Sequence, residues 1–216
     1  MPRAVFVTDF DGTLSRFDFY HLARARLVPP GTPNFFADYS LGRLTHFECL
    51  AATYAAITAT EAEVVAGLRD LDFEPRFAEC LARLADRGWE VVVASAGCGW
   101  YIDKMLGGVA VVVHANRGHW AGGGRGLVME LPTDSPFFSP TVGIDKPAVV
   151  RDALQRADVV AYAGDGFTDV PALMLVRPEL RFAKADAAAT LAAEGEAFRP
   201  FDRWAEVADA LVDEGW

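Results

Sequence analysis

Acidic residues that directly follow a short apolar run are the first candidates for chemistry in this sequence. The stretch AVFVTDFDGT, residues 4–13, carries Asp9 and Asp11 at the end of a predicted buried strand. Two carboxylates separated by one residue can serve as a nucleophile, as a general acid and base, or as ligands of a hard cation. The other polar residues around them decide between these roles.

Four later polar residues occupy comparable positions. Ser95 follows a second apolar run, Lys146 lies in GIDKP just before a helical pattern, and Asp165 and Asp169 lie in GDGFTD after a further run. In an open parallel sheet, the ligand crevice lies outside the carboxyl ends of the strands. We therefore expect these side chains to converge with those of the first aspartate pair.

The convergence of so many acids requires a cation. Taken singly, each aspartate could be an ordinary helix cap, and Ser95 could be a turn residue. Together, four carboxylates in one crevice repel one another unless a positive charge neutralises them. Mg²⁺ is the expected cofactor, because it binds carboxylate oxygens while it keeps water and phosphate as further ligands.

The elements that must position these residues alternate between strands and helices. Helical patterns separate most of the apolar runs, and this alternation predicts an α/β fold with a parallel sheet covered by helices on both faces. A hairpin is expected at residues 113–131, where two strand-like segments flank a glycine-rich turn. The predicted strands are residues 4–8, 90–94, 109–113, 159–163 and 180–183.

Residues 15–74 interrupt this alternation. They contain three amphipathic helical pieces, at 18–27, 45–57 and 60–71, and the last begins with a Thr60/Glu63 capping box. The Pro-Gly-rich stretch VPPGTPNFF separates the first two pieces. We expect a helical cap at 15–74, inserted after the first strand of a core formed by residues 1–14 and 75–216.

Composition limits the class of partner. The chain has 216 residues, 52% of them hydrophobic, which suffices for a substantial core, and a formal net charge of −10. That charge argues against nucleic acid or an anionic membrane as the main partner. Its three cysteines form no CxxC pair, and no run resembles a signal peptide or a membrane span. We expect a cytoplasmic protein; the oligomeric state, monomer or dimer, stays open.

The four polar motifs together resemble those of the haloacid dehalogenase superfamily. DFDGT, Ser95 after an apolar strand, Lys146 and GDGFTD occur in the order of that superfamily. The helical segment looks like the cap of its phosphoserine phosphatase-like branch, and the motifs look similar to those of methionine-salvage phosphatases, which act on a methylthio-ketopentenyl phosphate. The resemblance implies a Rossmann-like core and a phosphatase acting on a small phosphorylated metabolite.

The resemblance also implies roles for the central residues. Asp9 would attack phosphorus and become an aspartyl phosphate, and Asp11 would protonate the leaving alcohol and then deprotonate water. Ser95 would donate a hydrogen bond to a phosphoryl oxygen. Lys146 would neutralise Asp9 and the charge of the transferring group.

The resemblance implies a metal site as well. Asp9, the backbone carbonyl of Asp11, and Asp165 would bind Mg²⁺, whereas Asp169 would reach it through water or orient Lys146.

The cap would supply Asp18, facing the substrate or capping a helix, and Tyr54, at the place where phosphoserine phosphatases carry an arginine. A phenol cannot pair with a substrate carboxylate as an arginine does, so we expect a substrate with a neutral or apolar tail. Ala96, Gly97 and Asn116 are further expected substrate contacts.

Other functions are compatible with parts of the pattern. A phosphotransferase or mutase differs only in the acceptor of the phosphoryl group. A response-regulator receiver also forms an aspartyl phosphate, but it lacks an acid/base residue such as Asp11 two positions beyond the nucleophile. A dehalogenase does not need that residue either, and a silent interaction protein would not need all four motifs.

Overall fold

A computed structural model describes residues 4–216, so the first three residues of the predicted core segment 1–14 lie outside the described residues. The main sheet has seven strands in the order β4-β3-β2-β1-β7-β8-β9, all parallel except the antiparallel pair β3/β4. A separate short hairpin pairs β5 with β6. The strands are β1 Ala4–Thr8, β2 Trp89–Cys98, β3 Val112–Trp120, β4 Leu127–Glu130, β5 Phe138–Ser139, β6 Gly143–Ile144, β7 Val159–Gly164, β8 Arg181–Ala183 and β9 Arg199–Pro200.

Helices cover both faces of the sheet, which confirms the predicted fold class. Alternate residues of the central strands point to opposite faces: Phe6 packs in one core with α5, α6 and α10, and Val7 packs in the other with α7, α8 and α9. These core helices are α5 Phe77–Asp86, α6 Gly99–Leu106, α7 Lys146–Arg156, α8 Val170–Leu173, α9 Ala185–Glu194 and α10 Trp204–Asp213, with 3-10 turns at Phe167–Asp169 and Pro178–Leu180.

Between β1 and α5 the chain is helical. The three predicted pieces are present, and the Thr60/Glu63 capping box is confirmed. An additional short helix occupies part of the stretch expected to separate the first two pieces, because the Asn34 side chain caps it by accepting from Ala37 N. The elements are α1 Phe19–Leu22 with a π-turn at Ala23–Leu27, α2 Phe35–Ser40, α3 His46–Ala55, and α4 Glu61–Gly67 with a 3-10 turn at Leu68–Leu71.

Both ends of this helical segment leave the core side by side. An isolated antiparallel bridge joins Ser15 to Phe73. On either side of this bridge, Glu74 N donates to Leu14 O at 3.0 Å and Arg16 N donates to Asp72 O at 3.1 Å. This pairing coincides with the predicted boundaries at 15 and 74. That the segment between them moves as one unit stays a prediction.

Two predicted strands differ from the observed ones. The strand expected at 109–113 begins only at Val112, because Gly107 closes α6 in a left-handed conformation and Val109 N still donates to Leu106 O. From Val112 the same strand continues to Trp120 and forms the first arm of the predicted hairpin; β4 is the second arm. The strand expected at 90–94 continues to Cys98, with a register shift after Ala94.

The last helix fixes the first strand from one face. The Trp204 ring stacks on Phe6 with 5.4 Å between ring centroids and meets the edge of Phe77 at 5.2 Å. Its indole Nε1 donates to Thr8 Oγ1 at 3.0 Å. Thr8 immediately precedes Asp9, so α10 supports the strand end that carries the first aspartate.

Candidate active site

The predicted polar residues meet at the carboxyl ends of the central strands. Asp9 follows β1, where its backbone N donates to Ala163 O of β7 at 2.9 Å. Ser95 lies in β2, Lys146 begins α7, and Asp165 and Asp169 follow β7. With Asp9 these four form the floor of a cavity of about 630 Å³, which we call the charged floor.

Lys146 links two carboxylates of the charged floor. Its Nζ lies 2.9 Å from Asp9 Oδ1 and 2.7 Å from Asp169 Oδ1, and all three side chains are nearly inaccessible. Burial alone lowers the pKa of Lys146, but Asp169 and Asp9 outweigh it and raise that pKa above its ordinary value. The ammonium is therefore charged and held next to Asp9.

The carboxylate crowding fits a divalent cation. One oxygen each from Asp9, Asp165 and Asp169 lies within 4.8 Å of the others. Burial, and then the neighbouring Asp169 carboxylate, raises the pKa of Asp165 to about 7, and the same two causes raise the pKa of Asp9. Lys146 neutralises only part of this charge, so the donor set suits a hard cation such as Mg²⁺.

Asp169 differs from the other two acids because donors surround it. Its Oδ1 accepts from Lys146 Nζ and from Tyr162 Oη at 2.6 Å, and its Oδ2 accepts from the backbone N of Gly166 and Asp165 at 2.9 and 3.2 Å. Its side chain is wholly buried. This arrangement favours the orienting role over direct metal coordination.

Local backbone geometry allows the acids to approach. Gly12, between Asp11 and Thr13, has φ +74°, and a Cβ on it would lie 2.1 Å from Asp165 Oδ2. Thr13 Oγ1 donates to Asp165 Oδ1 at 2.8 Å. The GT of DFDGT thus provides space and a hydrogen-bond donor for the carboxylate of GDGFTD.

Asp11 stands beside the charged floor and is held from two sides. Its Oδ2 accepts from Tyr101 Oη at 2.5 Å, and its Oδ1 accepts from Phe19 N at 3.1 Å. Burial, and then the nearby Asp18 carboxylate, raises the pKa of Asp11 to about 8. A carboxyl with such a pKa can carry a proton near neutral pH, as a general acid must.

The opposite side of the cavity comes from the helical segment and is largely aromatic. We call Phe17, Tyr20, Phe36, Tyr39 and Tyr54 the aromatic wall. Among them, Phe17 and Phe36 are about half exposed at the cavity mouth, and Tyr54 is buried. Wall and floor therefore confine a ligand between an apolar surface and a charged one.

Two polar side chains, Asp18 and His46, modify the wall. Asp18 caps α1 by accepting from Tyr20 N, and it also lines the cavity, so both of its predicted roles are compatible with its position. His46 lines the cavity from the first turn of α3, and burial, followed by the charge of Lys146, lowers its pKa to about 4. Its imidazole is neutral at pH 7.

The residues after Ser95 divide into two groups. Ala96 and Gly97 line the cavity, and Ser95 Oγ accepts from Gly97 N at 2.9 Å while its own hydrogen remains available to a ligand. Asn116 does not line the cavity. Its Nδ2 donates to Ala96 O and Val142 O. Asn116 therefore does not make the expected substrate contact and instead supports the strand that carries Ser95.

Sequence reasoning missed two phenols, Tyr101 and Tyr162. Tyr162 alternates with apolar residues in a buried strand, and Tyr101 lies on a helix face otherwise devoted to the core. Neither has a motif that distinguishes it from a core aromatic. Cys98, near the site in sequence, is buried, and this burial raises the pKa of its thiol to about 12, which disfavours the thiolate that a nucleophile needs.

Comparisons with known proteins agree with this geometry. Residues 6–174 match the haloacid dehalogenase-like hydrolase family, and the chain belongs to that family. The enzyme class expected from the motifs is therefore confirmed. No curated protein sequence matches the chain.

Solved structures show the same fold at low sequence identity. A hydrolase of this family from Salmonella enterica serovar Typhi is 15% identical, with a TM-score of 0.70 over 99% of this chain and 72% of that one. A phosphoserine phosphatase from T. onnurineus is 17% identical, with a TM-score of 0.63 over 98% and 96%. A substrate-bound phosphoserine phosphatase is 14% identical, with a TM-score of 0.64 over 97% and 98%.

No helix within residues 4–216 has both the length and the apolar character required to cross a bilayer.

Proposed function

We propose that the protein is a Mg²⁺-dependent phosphomonoester hydrolase that works through an aspartyl phosphate on Asp9. The observation that carries the proposal is the buried Lys146 ammonium, which lies 2.9 Å from Asp9 and is fixed by Asp169. This arrangement keeps a carboxylate next to a cation at the floor of a cavity, where an incoming phosphoryl group needs both a nucleophile and charge neutralisation.

The reaction takes two steps. In the first, an Asp9 oxygen bonds to phosphorus, the bond from phosphorus to the leaving oxygen breaks, and Asp11 gives that oxygen its proton. In the second, water bonds to phosphorus, its proton passes to Asp11, and the bond between Asp9 and phosphorus breaks. Asp11 ends as it began, and phosphate is released.

Other residues of the charged floor hold the transferring group. Ser95 Oγ and Lys146 Nζ donate hydrogen bonds to phosphoryl oxygens, which stabilises the charge that develops there. Asp9, Asp165 and the backbone carbonyl of Asp11 would hold Mg²⁺, which supplies further neutralisation of that charge when bound. Asp169 keeps Lys146 in place.

Metal removal tests this proposal. Chelation should abolish hydrolysis of p-nitrophenyl phosphate, and added Mg²⁺ should restore it, with one phosphate released per ester cleaved. Full activity in metal-free buffer would contradict the metal role. Transfer of phosphate to an added alcohol in preference to water would support the phosphotransferase alternative.

The substrate should lack a carboxylate. Tyr54 offers no positive charge, Asp18 repels anions, and His46 is neutral at pH 7. Outside the floor, the described part of the cavity lining also holds Arg16, whose side chain is 46% exposed and lies 3.7 Å from Asp202, and Lys184, whose Nζ donates to Asp202 O at 3.2 Å, so both of these cations already have an oxygen partner. We propose that phosphoserine is a poor substrate.

An uncharged organic group matches the aromatic wall better. A methylthio-ketopentenyl phosphate of methionine salvage is the specific candidate, since its apolar tail would lie on the wall and its one hydroxyl group could donate to Asp18. We propose further that residues 15–74 act as a cap over this substrate. Catalytic efficiencies for this ester, for phosphoserine and for p-nitrophenyl phosphate would test the substrate class, and a preference for phosphoserine would contradict it.

A further inference from the structure

The acid/base candidate Asp11 has a buried partner that the proposed mechanism does not use. Tyr101 Oη lies 2.5 Å from Asp11 Oδ2 and donates to it. We propose that Tyr101 is a positioning residue, which holds the Asp11 carboxyl in one orientation throughout both steps. This inference rests on the proposed function, because it concerns the residue that moves the proton there.

The Tyr101 side chain is itself fixed. It is fully buried on α6, its ring stacks on Phe19 with 4.3 Å between centroids, and the ring centroids of Tyr54 and Phe10 lie 6.4 and 6.3 Å from its own. Such packing holds the Tyr101 ring, and with it the hydroxyl oxygen, in one orientation. A hydroxyl held in this way constrains its partner more than a mobile surface group could.

Gly97 makes the contact between Tyr101 and Asp11 possible. A Cβ on this residue would lie 2.0 Å from Tyr101 Oη and 2.7 Å from Asp11 Oδ2. Any larger residue would occupy the space in which the two oxygens meet. The strand that carries Ser95 is thus shaped to admit the phenol beside the acid.

Both Asp11 partners donate hydrogen bonds, each to a different oxygen. Asp11 must alternate between a carboxylic acid and a carboxylate, and a carboxyl keeps acceptor capacity in both states. Tyr101 Oη can therefore go on donating to Oδ2 while the proton that moves to and from the substrate occupies another lone pair of the carboxyl. The carboxyl then need not reorient between proton donation and proton uptake.

The test uses Tyr101→Phe, which keeps the ring and removes only the hydroxyl. Protonation of the leaving group matters for an alkyl phosphate and little for p-nitrophenyl phosphate, whose leaving group is stable as an anion. We expect kcat/KM for an alkyl phosphate to fall by about 10- to 100-fold, part of the usual effect of general acid catalysis. For p-nitrophenyl phosphate, kcat/KM should change by less than about threefold, while kcat falls and a burst of nitrophenolate appears because dephosphorylation slows.

Two controls separate positioning from a structural role. Tyr162→Phe removes a buried phenol hydroxyl that donates to Asp169 of the charged floor and not to Asp11, so its effect should be the same for both esters. Tyr101→Phe added to Asp11→Asn should cost little more than Asp11→Asn alone, because the phenol acts through that carboxyl.

Equal losses for both esters in Tyr101→Phe, or additive losses in the double variant, would overturn the inference. Absence of any phosphatase activity in the wild-type protein with Mg²⁺ would instead overturn the proposed function on which it rests. Melting temperatures of all variants should be compared, since a folded Tyr101→Phe with an unchanged leaving-group profile also counts against the inference.

Discussion

The charged floor and the aromatic wall face each other across one cavity, but they are built by different rules. Each floor carboxylate has fixed partners: Asp169 accepts four hydrogen bonds, and Asp9 lies 2.9 Å from Lys146. The wall side chains meet mainly through ring contacts, such as Phe36 with Tyr39 at 5.6 Å. Directional charged contacts tolerate almost no substitution, whereas ring packing has many solutions of similar energy.

This difference separates the reaction from its selectivity. Phosphoryl transfer needs charges at fixed positions, so a change in the floor should affect every substrate alike. In the proposed function the wall touches only the organic part of an ester, so a change there should reorder substrates without ending the reaction. The following variants would break or sharpen this division.

The largest effect is expected from Asp9→Asn in the floor. This substitution removes the proposed nucleophile, and turnover should fall by about 10⁴-fold or more for all esters, alkyl and aryl alike. Phosphate release under saturating Mg²⁺ measures it, with circular dichroism as the control for folding. Turnover close to that of the wild type would eliminate Asp9 as the nucleophile.

A smaller and selective effect is expected from Tyr54→Arg in the wall. Whether the new guanidinium pairs with a substrate carboxylate or neutralises Asp18, an anionic ester gains relative to a neutral one. The ratio of kcat/KM for phosphoserine to that for a neutral phosphomonoester should rise by about 10- to 100-fold, the range of a charge-assisted contact. Tyr54→Phe is the matched control, and an unchanged ratio in Tyr54→Arg would place the selectivity elsewhere.

His46 lies where wall and floor meet, and it should make stability depend on pH. Because its pKa is lowered to about 4, the folded protein leaves it neutral while the unfolded chain protonates it near pH 6.5. Protonation therefore favours unfolding, and stability should decline as the pH falls from about 6.5 to 4. His46→Gln should retain about 1 to 2 kcal/mol more of its neutral-pH stability at pH 4.5 in denaturant titrations. Parallel profiles for both proteins would refute this.

The smallest effect is expected from Phe17→Ser at the cavity mouth. The ring is 55% exposed, so an apolar substrate tail would gain only part of its area. KM for an ester with an apolar tail should rise about threefold, and KM for a small ester such as glycerol phosphate should stay constant. An equal rise for both esters would show that Phe17 shapes the site and does not contact the tail.

The sequence predicted the floor better than the wall for a physical reason. Floor residues follow strand ends, and parallel strands bring their carboxyl ends to one edge, so Asp9, Ser95 and Asp165 could be placed together without knowing how the helices pack. The strands and the helical segment could also be predicted from local patterns, because hydrophobic periodicity indicates them directly.

Contacts between elements could not be read in this way. The bond from Tyr101 to Asp11 depends on how α6 rests on α1, and the support of Asn116 depends on a register shift within β2. The early end assigned to β2 had the same origin, because Ser95 and Gly97 look like turn residues although the strand continues through them. Packing geometry decides such details, and a single sequence does not encode it in a local pattern.

The position of β1 in the sheet also determines how late in synthesis this strand can pair with its neighbours. Its neighbours in the sheet are residues 89–93 and 159–163, and Trp204 then covers it and bonds to Thr8. A growing chain therefore carries β1 and Asp9 without a paired strand to hold them until residues 89–93 and 159–163 have emerged. Contacts so distant in sequence slow folding and leave the apolar run 4–7 exposed meanwhile, which favours aggregation of the nascent chain.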